Sequence, residues 1–181
     1  HLIYSIKKRF PKMQLFKDNL RMLSYIDNFL SQEELKNLQE KAINFNYTSN
    51  INSNGHYGFG YNFSVNDIKN DPILSKIKNN FNIDKNLKVF EVRFHLRNNT
   101  EKPMPHYDEG KYVFLLYLKG EPLLNNGTGF YTDKGQLSSH IGFVENRGLF
   151  FNGLKIPHSD LQSFGDSSKR YTLNIFYKEN V

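Results

Sequence analysis

A chain of 181 residues without a single cysteine fits one domain with a sizeable core, and it excludes disulfides, Cys-ligated zinc and thiol catalysis, so any metal must rest on His and carboxylate. Sixteen Phe and eleven Tyr favour strands that bury large rings, which predicts a mainly β fold. The net charge of +6 is compatible with an acidic partner such as a nucleic acid, but the lysines are scattered, no reading motif accompanies them, and a solvated surface is the simpler expectation.

Residues 1–21 are basic with mixed apolar positions and read as an N-terminal extension or first strand, leaving 22–181 as the single folded domain. MLSYIDNFL (22–30) has the pattern of a strand. Ser31-Gln32-Glu33-Glu34 follows as a capping box, in which the Ser31 hydroxyl caps the helix start and Glu34 reaches back to the cap. Leu35, Leu38, Ala42 and Ile43 recur at helical spacing, so 32–44 is predicted as an amphipathic helix. The Asn-, Ser- and Gly-rich stretch 46–56 reads as a loop, and YGFGYNFSV (57–65) alternates like a strand. Asp71-Pro72 marks a helix start, with Asp as cap and Pro at the first helical position; Ile73, Leu74, Ile77 and Phe81 give that helix its apolar face.

From residue 87 short strands dominate: 87–96, 111–120, 128–132, 139–145, 147–152 and 169–178. Turns rich in Gly, Asn, Asp and Pro separate them, the pattern of a sandwich or barrel. No apolar run approaches the ~18 residues of a membrane helix and no signal peptide is visible. A soluble, cytoplasmic protein without membrane contact is expected, although a start at His1 rather than Met leaves the natural N-terminus open.

Three segments carry the chemistry. In Pro105-His106-Tyr107-Asp108, residues two apart on an extended backbone project to the same side, so an imidazole and a carboxylate can converge on one ion. His158 follows fifty residues after Asp108, just beyond the apolar run RGLFFNG. Taken singly, each signal is better read as a surface pair or a core or turn histidine. Together they supply two His and one carboxylate, the facial set that leaves positions open on Fe(II). Arg170 opens the last strand, where residues 170, 172, 174 and 176 share one face. Its planar guanidinium suits a carboxylate, and Thr172 or Asn174 could add a polar group beside it. His95 is a further pocket candidate, although a core role is the simpler reading.

The ordered pattern His106-x-Asp108, His158, Arg170-x-Thr172 resembles the Fe(II)/2-oxoglutarate-dependent oxygenases, most closely their prolyl-4-hydroxylase-like branch. SYIDNFLSQEEL (24–35), FEVRFHL (90–96), GTGFYT (127–132) and RGLFFNGLKIPHS (147–159) resemble successive elements of that branch, and the likeness runs over roughly 22–178. It implies an α+β chain that is mainly β: a double-stranded β-helix, or cupin-like jelly roll, with helices packed on one sheet. It also implies that His106, Asp108 and His158 bind Fe(II), that Arg170 pairs with the distal carboxylate of 2-oxoglutarate, and that Thr172 and Tyr117 lie near that carboxylate. Dioxygen would complete the co-substrates. Halogenating relatives replace the carboxylate of the His-x-Asp pair; Asp108 is present, so hydroxylation is expected, of a small-molecule or peptidyl substrate. A non-catalytic jelly-roll binding module is the alternative. A cupin isomerase is disfavoured, because Asp108 stands where its second His would. Segments 55–64 and 98–105 read as loops at the pocket mouth, with Tyr57, Phe59 and Tyr61 either stacking on substrate or packing inward.

Overall fold

The computed structural model describes residues 14–18, 21–51, 57–63, 68, 70–84, 86–97, 104–123, 126–160 and 169–180. Two antiparallel sheets form a double-stranded β-helix. The larger has the order β1 (Gln14–Asp18), β2 (Arg21–Ile26), β9 (Gly148–Phe151), β6 (Tyr112–Lys119), β11 (Arg170–Glu179), β5 (Leu87–Arg97), β4 (Tyr57–Phe63) and β3 (Thr48–Ile51). The smaller has the order β10 (His158–Asp160), β7 (Thr128–Tyr131) and β8 (Leu137–Ile141). Helices α1 (Gln32–Asn44) and α2 (Pro72–Phe81) contribute Leu35, Ala42, Ile73, Ile77 and Phe81 to a core shared with the large sheet.

Both helices begin as their sequences require. Ser31 Oγ accepts from Glu34 N at 3.3 Å and Glu34 Oε2 accepts from Ser31 N at 2.7 Å, which satisfies two donors that a bare helix start leaves open. Asp71 Oδ1 accepts from Ile73 N at 2.9 Å, with Pro72 at the position where no N–H is needed. Ile43, expected on the apolar face of α1, is 41% exposed; Leu35 and Ala42 carry the burial instead.

The large sheet is covered on both faces, which is why β6 and β9 read as continuous apolar runs rather than alternating ones. In β6, Phe114, Leu116 and Leu118 join the helix-side core. Val113, Leu115 and Tyr117 face the small sheet and meet Phe130, Ile141, Phe143 and Ile156. The same alternation runs through β11, where Leu173, Ile175 and Tyr177 lie on the helix side and Phe176 lies between the sheets. Residues 170, 172 and 174 therefore share the inner face with Phe176, and through the β11–β5 register so do Arg97, His95 and Arg93.

Several boundaries differ from the sequence reading. The strand expected over 22–30 ends at Ile26, because Asn28 takes a left-handed conformation (φ 54°) and turns the chain toward α1. The predicted loop 46–56 contains β3, a polar edge strand paired with β4, and its residues 52–56 lie outside the described residues. The strand placed at 139–145 starts two residues earlier and ends at Ile141. Gln14–Asp18 pairs with β2 at the sheet edge. No helix among the described residues is long and apolar enough to cross a membrane.

Asn146 ties the approach to α1 to the barrel. Its side chain accepts from Leu30 N at 2.8 Å and donates to Leu30 O at 2.8 Å, while its backbone sits at φ 64°, a region that few residues other than Gly and Asn adopt easily. Asn146→Ala removes both bonds, leaves a buried donor and acceptor unsatisfied and adds backbone strain. It is expected to cost about 2–4 kcal/mol in urea unfolding. Asn146→Gly relieves the strain alone and is expected to recover only the smaller part of that loss.

Candidate metal centre

The site is assembled by main-chain pairing before any side chain contributes. His106 and His158 form an isolated antiparallel bridge, with His106 N donating to His158 O at 3.1 Å and His158 N donating to His106 O at 3.0 Å. Two residues on, Asp108 N donates to Gly153 O at 3.0 Å, so the extended segment holding His106 and Asp108 is fixed at two points. Gly153 permits this approach. A Cβ built there would come within 2.9 Å of Val113 Cγ2 and 3.0 Å of Asp108 Cβ.

One ligand atom from each of His106, Asp108 and His158 lies within 4.8 Å of the others. His158 Nε2 is 3.1 Å from Asp108 Oδ2, and His106 Nε2 is 3.8 Å from Asp108 Oδ1. The opposite ring nitrogens face carbonyls: His106 Nδ1 lies 3.0 Å from Met104 O, and His158 Nδ1 lies 3.1 Å from Ile156 O. A carbonyl can only accept, so each Nδ1 carries a proton and each Nε2 faces Asp108, as a donor to the carboxylate when protonated and with its lone pair available to a metal ion when not. His158 is wedged edge-to-face against Phe151 at 4.6 Å, which fixes its ring plane. Two imidazoles with preset tautomers and one carboxylate make a donor set suited to a ferrous ion.

The electrostatics are those of groups drawn together. Burial alone would raise the Asp108 carboxyl, but the neighbouring His158 outweighs it and the pKa lies below the ordinary carboxylate range. Burial alone would lower His158, but Asp108 outweighs it and the pKa lies above the ordinary imidazole range. The depressed carboxyl contributes stability above its unfolded pKa, and the raised imidazole contributes until pH climbs through its folded pKa. The metal-free pair therefore helps the fold most between those limits.

The remaining predicted residues line the same inner face. Arg170 is 3% exposed; its Nη1 donates to Asn126 O at 2.6 Å and Gly127 O at 3.0 Å, and its Nη2 to Asp160. Tyr117 lies beneath the guanidinium, 5.6 Å from ring centroid to Cζ. Its hydroxyl is 2.8 Å from Thr128 Oγ1, and burial pushes its pKa up to about 12. Thr172 is buried and lies opposite Tyr117 on β6 and His95 on β5. Asn174 reaches His95 Nδ1 at 3.3 Å. Burial, with Arg97, Arg93 and Arg170 nearby, holds His95 well below the usual imidazole range, so it stays neutral.

Sequence reasoning missed three charged members of this face: Asp160, Arg97 and Arg93. Asp160 is two residues after His158 on β10, the same spacing that linked His106 to Asp108, so the alternation argument applied once more would have found it. Arg93 and Arg97 flank His95 at the same period. Tyr57, Phe59 and Tyr61 belong to β4, but their side chains, like segment 98–103, lie outside the described residues.

A jelly roll whose mouth gathers two His, a carboxylate and a buried Arg has a defined structural class. No family model and no curated protein matches the sequence, whereas solved structures do. The chain is similar to the viral collagen prolyl hydroxylase of Paramecium Bursaria Chlorella virus-1, solved as a 2-oxoglutarate complex, with TM-score 0.58 and 17% identity over 86% of this chain and 94% of that one. It is similar to a Pseudomonas putida prolyl-4-hydroxylase, with TM-score 0.62 and 13% identity over 87% and 92%. It is also similar to HygX from Streptomyces hygroscopicus, solved with nickel, 2-oxoglutarate and hygromycin B, with TM-score 0.62 and 10% identity over 87% and 82%. The fold is that of the Fe(II)/2-oxoglutarate oxygenases, prolyl hydroxylases included.

Two measurements probe the centre directly. Protons compete with metal for His158, so the affinity for a divalent ion such as Co(II) is expected to fall as pH is lowered, beginning above the ordinary His range of about 6.5; a flat profile would show that His158 is no ligand. Gly153→Ala should push Asp108 out of register and weaken metal binding by about 10–100-fold, read by chelator competition, with little change in far-UV circular dichroism.

Proposed function

We propose that this chain is an Fe(II)/2-oxoglutarate-dependent oxygenase in which His106, Asp108 and His158 hold ferrous iron. The observation that carries the reading is the convergence of those three side chains, with both Nε2 atoms preset toward Asp108, on the face that also holds buried Arg170. With iron, 2-oxoglutarate and dioxygen bound, the chemistry supplied is oxidative decarboxylation of the keto acid to succinate and carbon dioxide, coupled to hydroxylation of a substrate C–H bond. The protein's part is geometric. The bridge between His106 and His158 sets the ligand spacing, and Phe130, Phe151 and Ile156 wall the centre with apolar surface. Arg170, with Tyr117 below it and Thr172 beside it on the strand, forms the polar end that receives the distal carboxylate.

The rim and the similar structures support two classes of substrate. Met104, two residues before His106 on the same extended segment, is 49% exposed and gives the mouth an apolar edge. That edge suits either a prolyl residue in a peptide, the substrate type of the two similar prolyl hydroxylases, or a small molecule, as hygromycin B is in the HygX complex.

The test is anaerobic titration of the Fe(II)-loaded protein with 2-oxoglutarate, followed by a succinate-release screen over peptides, free amino acids, nucleosides and sugars. A weak visible charge-transfer band is expected for the wild type and its loss for His106→Ala and Asp108→Ala. Arg170→Gln should leave iron bound and weaken 2-oxoglutarate by roughly 100-fold or more, the scale of removing one partner of a buried charge pair. Iron binding that survives both ligand substitutions would sink the assignment. Succinate release absent under every condition would favour a binding module that has the fold alone.

A further inference from the structure

A carboxylate of the protein's own already sits on the guanidinium that the keto acid requires. Arg170 Nη2 donates to Asp160 Oδ1, and Arg97 Nε lies 3.4 Å from Asp160 Oδ2. Arg170 and Arg97 are direct cross-strand partners in the β11–β5 register. Like charges opposed in this way repel, and Asp160 is the group that reconciles them. The side chains of Arg170 and Asp160 are only 3% and 11% exposed, so the interaction is weakly screened. Asp160 is thus an anion held between two guanidiniums.

Two guanidiniums and one carboxylate leave a net charge of +1, room for one more carboxylate. Arg170 Nη1 is committed to two main-chain carbonyls, which leaves the Nε–Nη2 edge for paired hydrogen bonds to an incoming carboxylate, and Asp160 holds the Nη2 of that edge. If both anions stayed on that group they would repel each other. Arg97 offers Asp160 another partner without leaving the cluster.

We propose that Asp160 is a displaceable counter-ion: the distal carboxylate of the 2-oxo acid replaces it on Arg170 while Arg97 retains it. This rests on the keto-acid reading above. Asp160 and Arg97 are then positioning residues that set affinity for the co-substrate and its preference over 2-oxo acids lacking a second carboxylate. Neither is assigned a part in the chemical step.

The test uses the full chain loaded anaerobically with Fe(II), titrated with 2-oxoglutarate and separately with pyruvate, which has no distal carboxylate. The charge-transfer band is the readout. Asp160→Asn is expected to tighten 2-oxoglutarate roughly tenfold, the scale of relieving one close charge conflict, and to leave pyruvate unchanged. Arg97→Gln is expected to weaken 2-oxoglutarate selectively, and to do so by a smaller factor in the Asp160→Asn background, because the two residues act through one contact. Unchanged or weaker 2-oxoglutarate binding by folded Asp160→Asn overturns the proposal and reduces Asp160 to a structural ion pair. Should Asp160→Asn not fold, Arg97→Gln decides: selective loss of 2-oxoglutarate supports the exchange, and equal loss of both acids overturns it. A different failure, no band from either acid in any iron-loaded protein, removes the keto-acid reading itself.

Discussion

The two main-chain hydrogen bonds between His106 and His158, 3.1 and 3.0 Å long, join parts of the chain that no long strand connects. This bridge and the Asp108–Gly153 bond tie the main chain of residues 104–110 to the barrel, and β10 is three residues long. Backbone pairing at that point brings the imidazole centroids to 4.7 Å. Pre-positioned ligands lose little freedom on binding an ion, so less of the binding free energy goes into ordering the site. The carbonyl acceptors of Met104 and Ile156 complete the arrangement by orienting each ring. The local chain repeats itself here, since each acceptor lies two residues before its own histidine.

Around that bridge the large sheet meets two opposed demands. Its outer face must be apolar to hold α1 and α2, and Phe94, Phe114, Phe150 and Tyr177 supply large rings there. Its inner face must be apolar where it packs on β7 and β8 and polar where the mouth opens. The period of two over residues 91–97 of β5 and 170–176 of β11, up to the register shift after Phe176, satisfies both. In β11 the outward set is Leu173, Ile175 and Tyr177, while the inward set passes from Arg170 through Thr172 and Asn174 to Phe176. A one-residue slip would bury Arg170 among the helices, so the register that stabilises the core also fixes the functional face.

This explains which parts were legible in the sequence. The helix starts at Ser31 and Asp71 were readable because capping is local chemistry confined to four residues. Strands β6, β9 and β11 were readable because both faces are buried and the apolar runs are dense. The segments holding His106, Asp108, His158 and Arg170 stood out as an ordered set, and the structure brings them onto one face. Strand β3 escaped because Thr-Ser-Asn-Ile is an edge strand whose polar composition matches a loop. Strand β10 escaped because three residues carry no period. Asp160 escaped with it: beside Ser159, a carboxylate reads as a solvated turn residue until the long-range pairing of Arg170 with Arg97 shows why an anion must be buried there. What local sequence cannot encode is the identity of cross-sheet neighbours, and the charge balance of the mouth depends on little else.

That balance gives the site its polarity. His158 and Asp160 are successive members of one face of β10, a step of about 6.5–7 Å along a strand. The first belongs to the cluster with His106 and Asp108, the second to the cluster with Arg97 and Arg170. One short strand therefore places His158 of the first cluster two residues from Asp160, the carboxylate that Arg97 and Arg170 hold in the second. On the proposed reading, a monocarboxylate would reach only one of the clusters. The pairing of β10 with β7 and of His158 with His106 would then set the spacing for a keto diacid, and Arg97 on β5 and Arg170 on β11 would supply the charge that receives its distal acid.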